Sequence, residues 1–246
     1  MPHILKMRRS LGITILALAA VFAGTGTAHS AQRSDEYIIC SGGPSLNEWE
    51  QLRAADLRHD KWWGNFIRTA RIRMQQIRGA AAGADVNITW LVYRRAYDKR
   101  GREDRKDYID LIHSVRDAYN INLVWFSSGQ EIINYLNGGR NRRAHKISGF
   151  DYFGHSNKHC FLFDYSCDIY GASAAYLHED QLKALRRGLF VKGAHVQSFG
   201  CHTAESMSSR WKKATGVKMI GAIGKTDYGL SYKNVLPHIN KGYWKR

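Results

Sequence analysis

The sequence predicts an α/β protein, a three-layer sandwich on a mostly parallel sheet of about six strands. Three observations carry this expectation. Six short apolar runs bounded by turn residues recur along the chain, segments with helical spacing separate most of them, and the runs lack polar alternation. Strands of that kind are buried on both faces, as in sheets covered by helices on each side. Of 246 residues, 44% are hydrophobic and 3 are proline, which excludes a disordered or collagen-like chain. No repeat, low-complexity tract or linker interrupts the pattern.

The chain opens with Lys6, Arg8 and Arg9 ahead of an apolar run from Leu11 to Gly24, followed by the small residues Ala28 and Ser30. This is the layout of a secretory signal peptide over residues 1–30, cleaved before Ala31. The run of 14 residues is shorter than the roughly 20 that a spanning helix needs, and no later stretch is longer. Residues 31–246 are therefore expected to form a single domain, secreted or periplasmic, with no transmembrane segment once the signal is removed.

Strands are predicted over 37–40, 88–93, 121–126, 150–154, 195–200 and 218–224. Phe66, Ala70, Met74 and Ile77 mark a helix, as do Ile109, Ile112 and Val115. A third runs over 131–136 and stops at Gly138-Gly139. Leu182, Leu185 and Leu189 follow the acidic pair Glu179-Asp180, and Met207, Trp211 and Ala214 end at Gly216.

In such sheets function collects where loops leave the carboxyl ends of the strands. One buried strand ends in Gly154-His155-Ser156, and another, about 45 residues on, ends in Gly200-Cys201-His202-Thr203. If those strands are neighbours, a histidine base and a thiol nucleophile rise from one edge of the sheet. A helix starting near Thr203 would place Cys201 at its positive end and favour thiolate. Backbone N–H groups there, with those after His155, would form an oxyanion site. His155 would protonate the leaving amine and then activate water.

A hydrophobic strand ending in histidine and a second ending in cysteine resembles the caspase-like (clan CD) cysteine peptidases. The stretch from Ile147 to Tyr228 is most similar to their bacterial members, the CHAT-type domains included. The resemblance implies a caspase-like architecture and a His155–Cys201 dyad that hydrolyses peptide bonds through a thioester, without cofactor or metal. Ser156 stands where members usually carry glycine, and Ser156 with Cys201 would supply the oxyanion site. Asp227, beyond the next strand, is the nearest candidate for a pocket that takes a basic side chain. Protein or peptide is the implied substrate; the rival expectation is a catalytically inactive caspase-fold module that binds a partner.

Lys plus Arg number 37 against 21 Asp plus Glu, a net +16, so the surface should attract anionic polymers or cell-surface material. The densest basic run, 139–146, is expected to be an exposed, solvated loop, and a second over 99–106, which contains Glu103 and Asp104, an exposed loop with local pairing. Neither interleaves aromatics as single-strand nucleic-acid platforms do, which excludes specific nucleic-acid binding as the leading class. His155, His159 and His202 offer a possible zinc set, but no HExxH motif accompanies them. Cys40-Ser-Gly-Gly-Pro44 lacks the Lys-Ser/Thr of a phosphate loop, and no GxSxG elbow exists. Of Cys40, Cys160, Cys167 and Cys201, the local pair Cys160 and Cys167 is the expected disulfide. A bond from Cys201 to Cys40 or Cys160 would abolish the nucleophile.

Overall fold

The computed structural model describes residues 35–52, 54–55, 58, 62–81, 86–165 and 173–246. The expected signal segment and Cys167 lie outside the described residues. Five strands, β1 (Glu36–Ser41), β2 (Asn87–Tyr93), β3 (Asn122–Phe126), β4 (Ile147–Phe153) and β8 (Phe190–Ser198), form one parallel sheet in the order β3-β2-β1-β4-β8. The chain is thus an α/β protein built on a five-stranded parallel sheet. All five overlap predicted strands, because a parallel strand covered on both faces leaves an uninterrupted apolar signature, but β8 begins at Phe190, five residues before the expected start at His195.

Two cores flank the sheet, and strand alternation divides the residues between them. On one face Ile38, Cys40, Phe150 and Tyr152 pack with Leu136 of α5 (Gly129–Gly138) and with Met207 and Trp211 of α6 (Met207–Thr215). On the other, Ile39, Trp90 and Phe153 pack with Phe66, Ala70 and Met74 of α2 (Asn65–Ala80) and Ile112 of α4 (Tyr108–Tyr119). Trp63, just before α2, stacks on Tyr108 at 3.9 Å, a packing role. A six-residue helix, α1 (Asn47–Leu52), follows β1.

Four expectations need correction. The sixth strand is not a ladder partner of the sheet: residues 218–220 touch β8 through one parallel bridge, Gln197 to Ile220. The chain then leaves as β9 (Gly221–Asp227), which pairs antiparallel with β10 (His238–Lys245) instead. The segment after Glu179 is a 3-10 helix, Glu179–Ala184, closed by a reciprocal His178–Gln181 capping box, and Leu185 is already extended. The region after Gly154 is a small antiparallel sheet of β5 (His155–Ser156), β6 (Cys160–Leu162) and β7 (Tyr176–His178), not an open loop.

The fourth concerns the basic runs. Residues 99–104 belong to α3 (Arg94–Asp104) and not to a loop; the expected local pairing is present, with Arg100 donating to Asp104 at 2.7 Å, but Arg100 itself is buried and also bonds the Ser45 carbonyl. In the run 139–146, Arg142 is buried against Glu36, the fully buried first residue of β1, and also donates to the carbonyls of Tyr135 and Leu136. Arg140, Tyr135 and Thr89 complete the cage around Glu36. A buried carboxylate costs several kcal/mol unless paired, so Arg142 and Arg140 serve Glu36 inside the fold, while Arg143 and Lys146 stay exposed.

Candidate active site

The order of strands reverses between β1 and β4, which makes their carboxyl ends the crevice where α/β sheets bind ligands. There Gly42 donates to the Phe153 carbonyl at 2.8 Å and Gly43 to that of Phe163 at 2.9 Å. Gly43 lies so close to the Ala96 side chain and the Phe163 carbonyl that a Cβ would collide with both. Close packing accounts for the glycines after the first strand without a phosphate.

β4 and β8 are neighbours, with Tyr152 opposite Ser198 and Phe199 donating to the Tyr152 carbonyl at 2.8 Å. Past that point the two chains present His155 and Cys201 at the same edge. The Ser156 hydroxyl donates to the Cys201 carbonyl at 2.6 Å and ties the two strand ends together. Gly200 makes this approach possible, because a Cβ there would run into the Ser156 side chain. Tyr152 reaches up from β4 and donates to the His155 carbonyl at 2.6 Å, fixing the backbone from below.

Cys201 is a free, half-buried thiol, so a disulfide to Cys40 or Cys160 is not formed. Its sulfur receives the Thr226 backbone N–H at 3.4 Å and lies 3.4 Å from the Thr226 hydroxyl, which itself donates to the Phe199 carbonyl at 2.8 Å. The His155 ring stands edge-on to Phe66, 5.1 Å between centroids, and to Tyr165 at 4.6 Å. The two residues therefore share an edge, while the sulfur's hydrogen-bond partner is Thr226.

His202, directly after Cys201, is in the left-handed region at φ 63°, a conformation costing about 1 kcal/mol or more for a side chain with a Cβ. It is held by its N–H to the Gly224 carbonyl at 2.8 Å and by its ring to Glu205 at 2.6 Å. Strain of this sort concentrates at functional positions. It also sharpens the turn that exposes Cys201. The helix expected at Thr203 is only a three-residue 3-10 turn, Thr203–Glu205, and α6 begins at Met207. Cys201 thus gains no helix dipole; the single N–H of Thr226 takes that place.

Of the residues singled out from sequence, His155, Ser156 and Cys201 come together. Asp227 does not join them. It follows Thr226 on β9, so the pleat turns it to the opposite face, and its carboxylate accepts the Gly229 N–H at 2.6 Å. The three histidines separate as well: His159 goes to Glu179 at 3.0 Å, His202 to Glu205, and His155 to the aromatic rings. Among the described residues no group of three or more ligating side chains is placed to hold a metal. Cys160 is a free, buried thiol, and Cys167, its expected disulfide partner, lies outside the described residues; burial and nearby Glu179 push the Cys160 thiol up. Burial does the same more strongly to Cys40.

Thr226, Tyr228 and Phe66 were not flagged by sequence, although all three touch the site. Tyr228 accepts the Gly154 N–H at 3.1 Å and donates to the Phe199 carbonyl at 3.2 Å, bridging the ends of β4 and β8. The strand ending in Thr226-Asp227 was the available signal, but only the single bridge at Ile220 shows which neighbour it meets. Compared with protein-family models, curated proteins and solved structures, the chain matches none of them. No helix of the described residues is long and apolar enough to cross a membrane.

Proposed function

We propose that the protein is a cysteine endopeptidase of caspase-like architecture, exported by its N-terminal signal segment, with Cys201 as nucleophile and His155 as general acid and base. The observation that carries this reading is the delivery of a free thiol and a histidine by adjacent parallel strands to one sheet edge, braced by the Ser156–Cys201 bond. The Cys201 thiolate would add to the scissile carbonyl. The tetrahedral oxyanion would be met by backbone N–H groups of Cys201 and Ser156. Ser156 suits that use. The Asn157 N–H to Cys160 carbonyl bond closes the β5–β6 hairpin, so by antiparallel alternation the Ser156–Phe161 pair is the non-hydrogen-bonded kind and its N–H points away from β6. Collapse would break the C–N bond, with the amine taking a proton from His155 and the acyl group left as a thioester. Water, losing its proton to His155, would then hydrolyse that thioester. Apo sites often hold base and nucleophile further apart than the reacting complex does.

A second reading has one observation in its favour. The sulfur is engaged by Thr226, and the imidazole by aromatic rings, as in a silent caspase-fold module that binds a protein. The pH dependence of Cys201 alkylation, located by peptide mapping and repeated in His155→Ala, decides between them. The peptidase reading expects a thiolate titrating well below the usual value near 8.5, shifted when His155 is removed, and turnover of peptide substrates lost in Cys201→Ala. A sulfur that labels no faster than a model thiol in both proteins would overturn it.

A further inference from the structure

The β9–β10 ribbon has two unlike faces. Its inner face carries Thr226 against Cys201, and Trp244 against Phe199 at 5.5 Å. Pleating turns the odd-numbered residues Lys225, Lys241, Tyr243 and Lys245 to the other side, and all four are exposed. Lys225 sits directly opposite Lys241 in the ladder. Like charges in that position destabilise a strand pair, and neither lysine has an ion-pair partner among the described residues. From Gly221 to Arg246 the chain has five Lys or Arg, every one exposed, against a single acid, Asp227, which is held by the Gly229 N–H. Apolar exposure gathers in the same segment. Of the seven strongly exposed large hydrophobic residues described, Leu230, Tyr232, Val235 and Tyr243 fall within it.

Cations alone fit any polyanion. Lysines interleaved with exposed Tyr, Leu and Val fit an interface that is anionic at its surface and apolar beneath, where lysine stems and tyrosine rings lie at the headgroup level. From these observations we infer that the outer face of the β9–β10 ribbon, with the turn before β10, docks on a membrane surface bearing acidic phospholipids. This does not depend on the peptidase reading, and Cys201→Ala should bind like the parent.

The test is cosedimentation with vesicles of phosphatidylcholine alone and of phosphatidylcholine mixed with phosphatidylglycerol. The protein should sediment with the mixed vesicles, not with the neutral ones, and high salt should release it. Lys225→Gln and Lys241→Gln should each weaken binding about fivefold. Tyr243→Ser and Tyr232→Ser should weaken it further at constant charge. Lys212→Gln/Lys213→Gln, on α6 against the other core, is the control: a loss there as large as in the ribbon would overturn the assignment to this face. So would equal binding to neutral vesicles, no binding to either, or binding to soluble polyphosphate with none to the mixed vesicles. Unchanged circular dichroism of the exposed lysine variants keeps misfolding out of the comparison.

Discussion

The Ser156 hydroxyl and the Cys201 carbonyl are joined at 2.6 Å across the ends of two neighbouring parallel strands. Removing the hydroxyl in Ser156→Ala leaves that carbonyl without its side-chain donor and should cost about 1 kcal/mol in denaturant unfolding. Gly200→Ala should cost more, because its new methyl meets Ser156. In the double variant the Gly200→Ala penalty should shrink, since the Oγ part of the clash is gone. Strictly additive costs would show that the two residues do not share this contact.

Thr226→Val tests the sulfur's surroundings. The Thr226 hydroxyl gives its proton to Phe199, so towards Cys201 it can only accept, which favours the neutral thiol; the Thr226 N–H favours thiolate. Valine keeps the N–H and loses the acceptor. The Cys201 thiol should therefore alkylate faster near neutrality in the variant, at a stability cost of about 1 kcal/mol. Slower alkylation would mean that the hydroxyl turns to serve the thiolate.

Arg142→Ala should destabilise the protein by about 3–5 kcal/mol, because it strands Glu36 in the core without its strongest partner. Arg143→Ala, its exposed neighbour, should lie within about 0.5 kcal/mol of the parent. Equal denaturation midpoints for the two variants would return the 139–146 run to the status of a solvated loop.

How much was legible follows from which interactions are local. The parallel strands were readable because apolar runs such as Ile88–Tyr93 report burial on both faces directly. That β4 and β8 would be neighbours was posed from sequence as a condition, and the fold meets it. Pairing partners of Thr226 and Glu36 were illegible, since each meets residues far off in the chain and nothing in their own neighbourhood encodes the meeting. The basic runs misled for a related reason. Arg142 and Arg143 are the same residue type side by side, and only the buried carboxylate of a distant strand separates one as core from the other as surface.

Asp151 on β4 carries a second buried cluster, with Tyr37 and Arg73 each donating at 2.7 Å and the His195 Nε2, which accepts from Arg73 at 2.8 Å, lying 3.5 Å away. Burial would raise this carboxyl, but nearby His195 and the charge and hydrogen bond of Arg73 outweigh it and hold it below its ordinary value. The native chain thus takes up this proton less readily than the unfolded one. The contribution is complete above about pH 4 and is lost as pH falls through the native titration. Asp151→Asn should be less stable than the parent near neutrality, and the gap should close on acidification. Parallel stability curves down to low pH would contradict the linkage.

β10 is the ladder partner that holds β9, whose other backbone ties are those of Gly224 to His202 and Glu205 and the bridge just before it at Ile220. Among the described residues, the one backbone donor to the Cys201 sulfur thus belongs to a strand kept in place by His238–Lys245. Disrupting that strand would act on thiol reactivity from a distance, without touching Cys201 or His155. An assay of this protein therefore depends on an intact β10 as much as on an intact thiol.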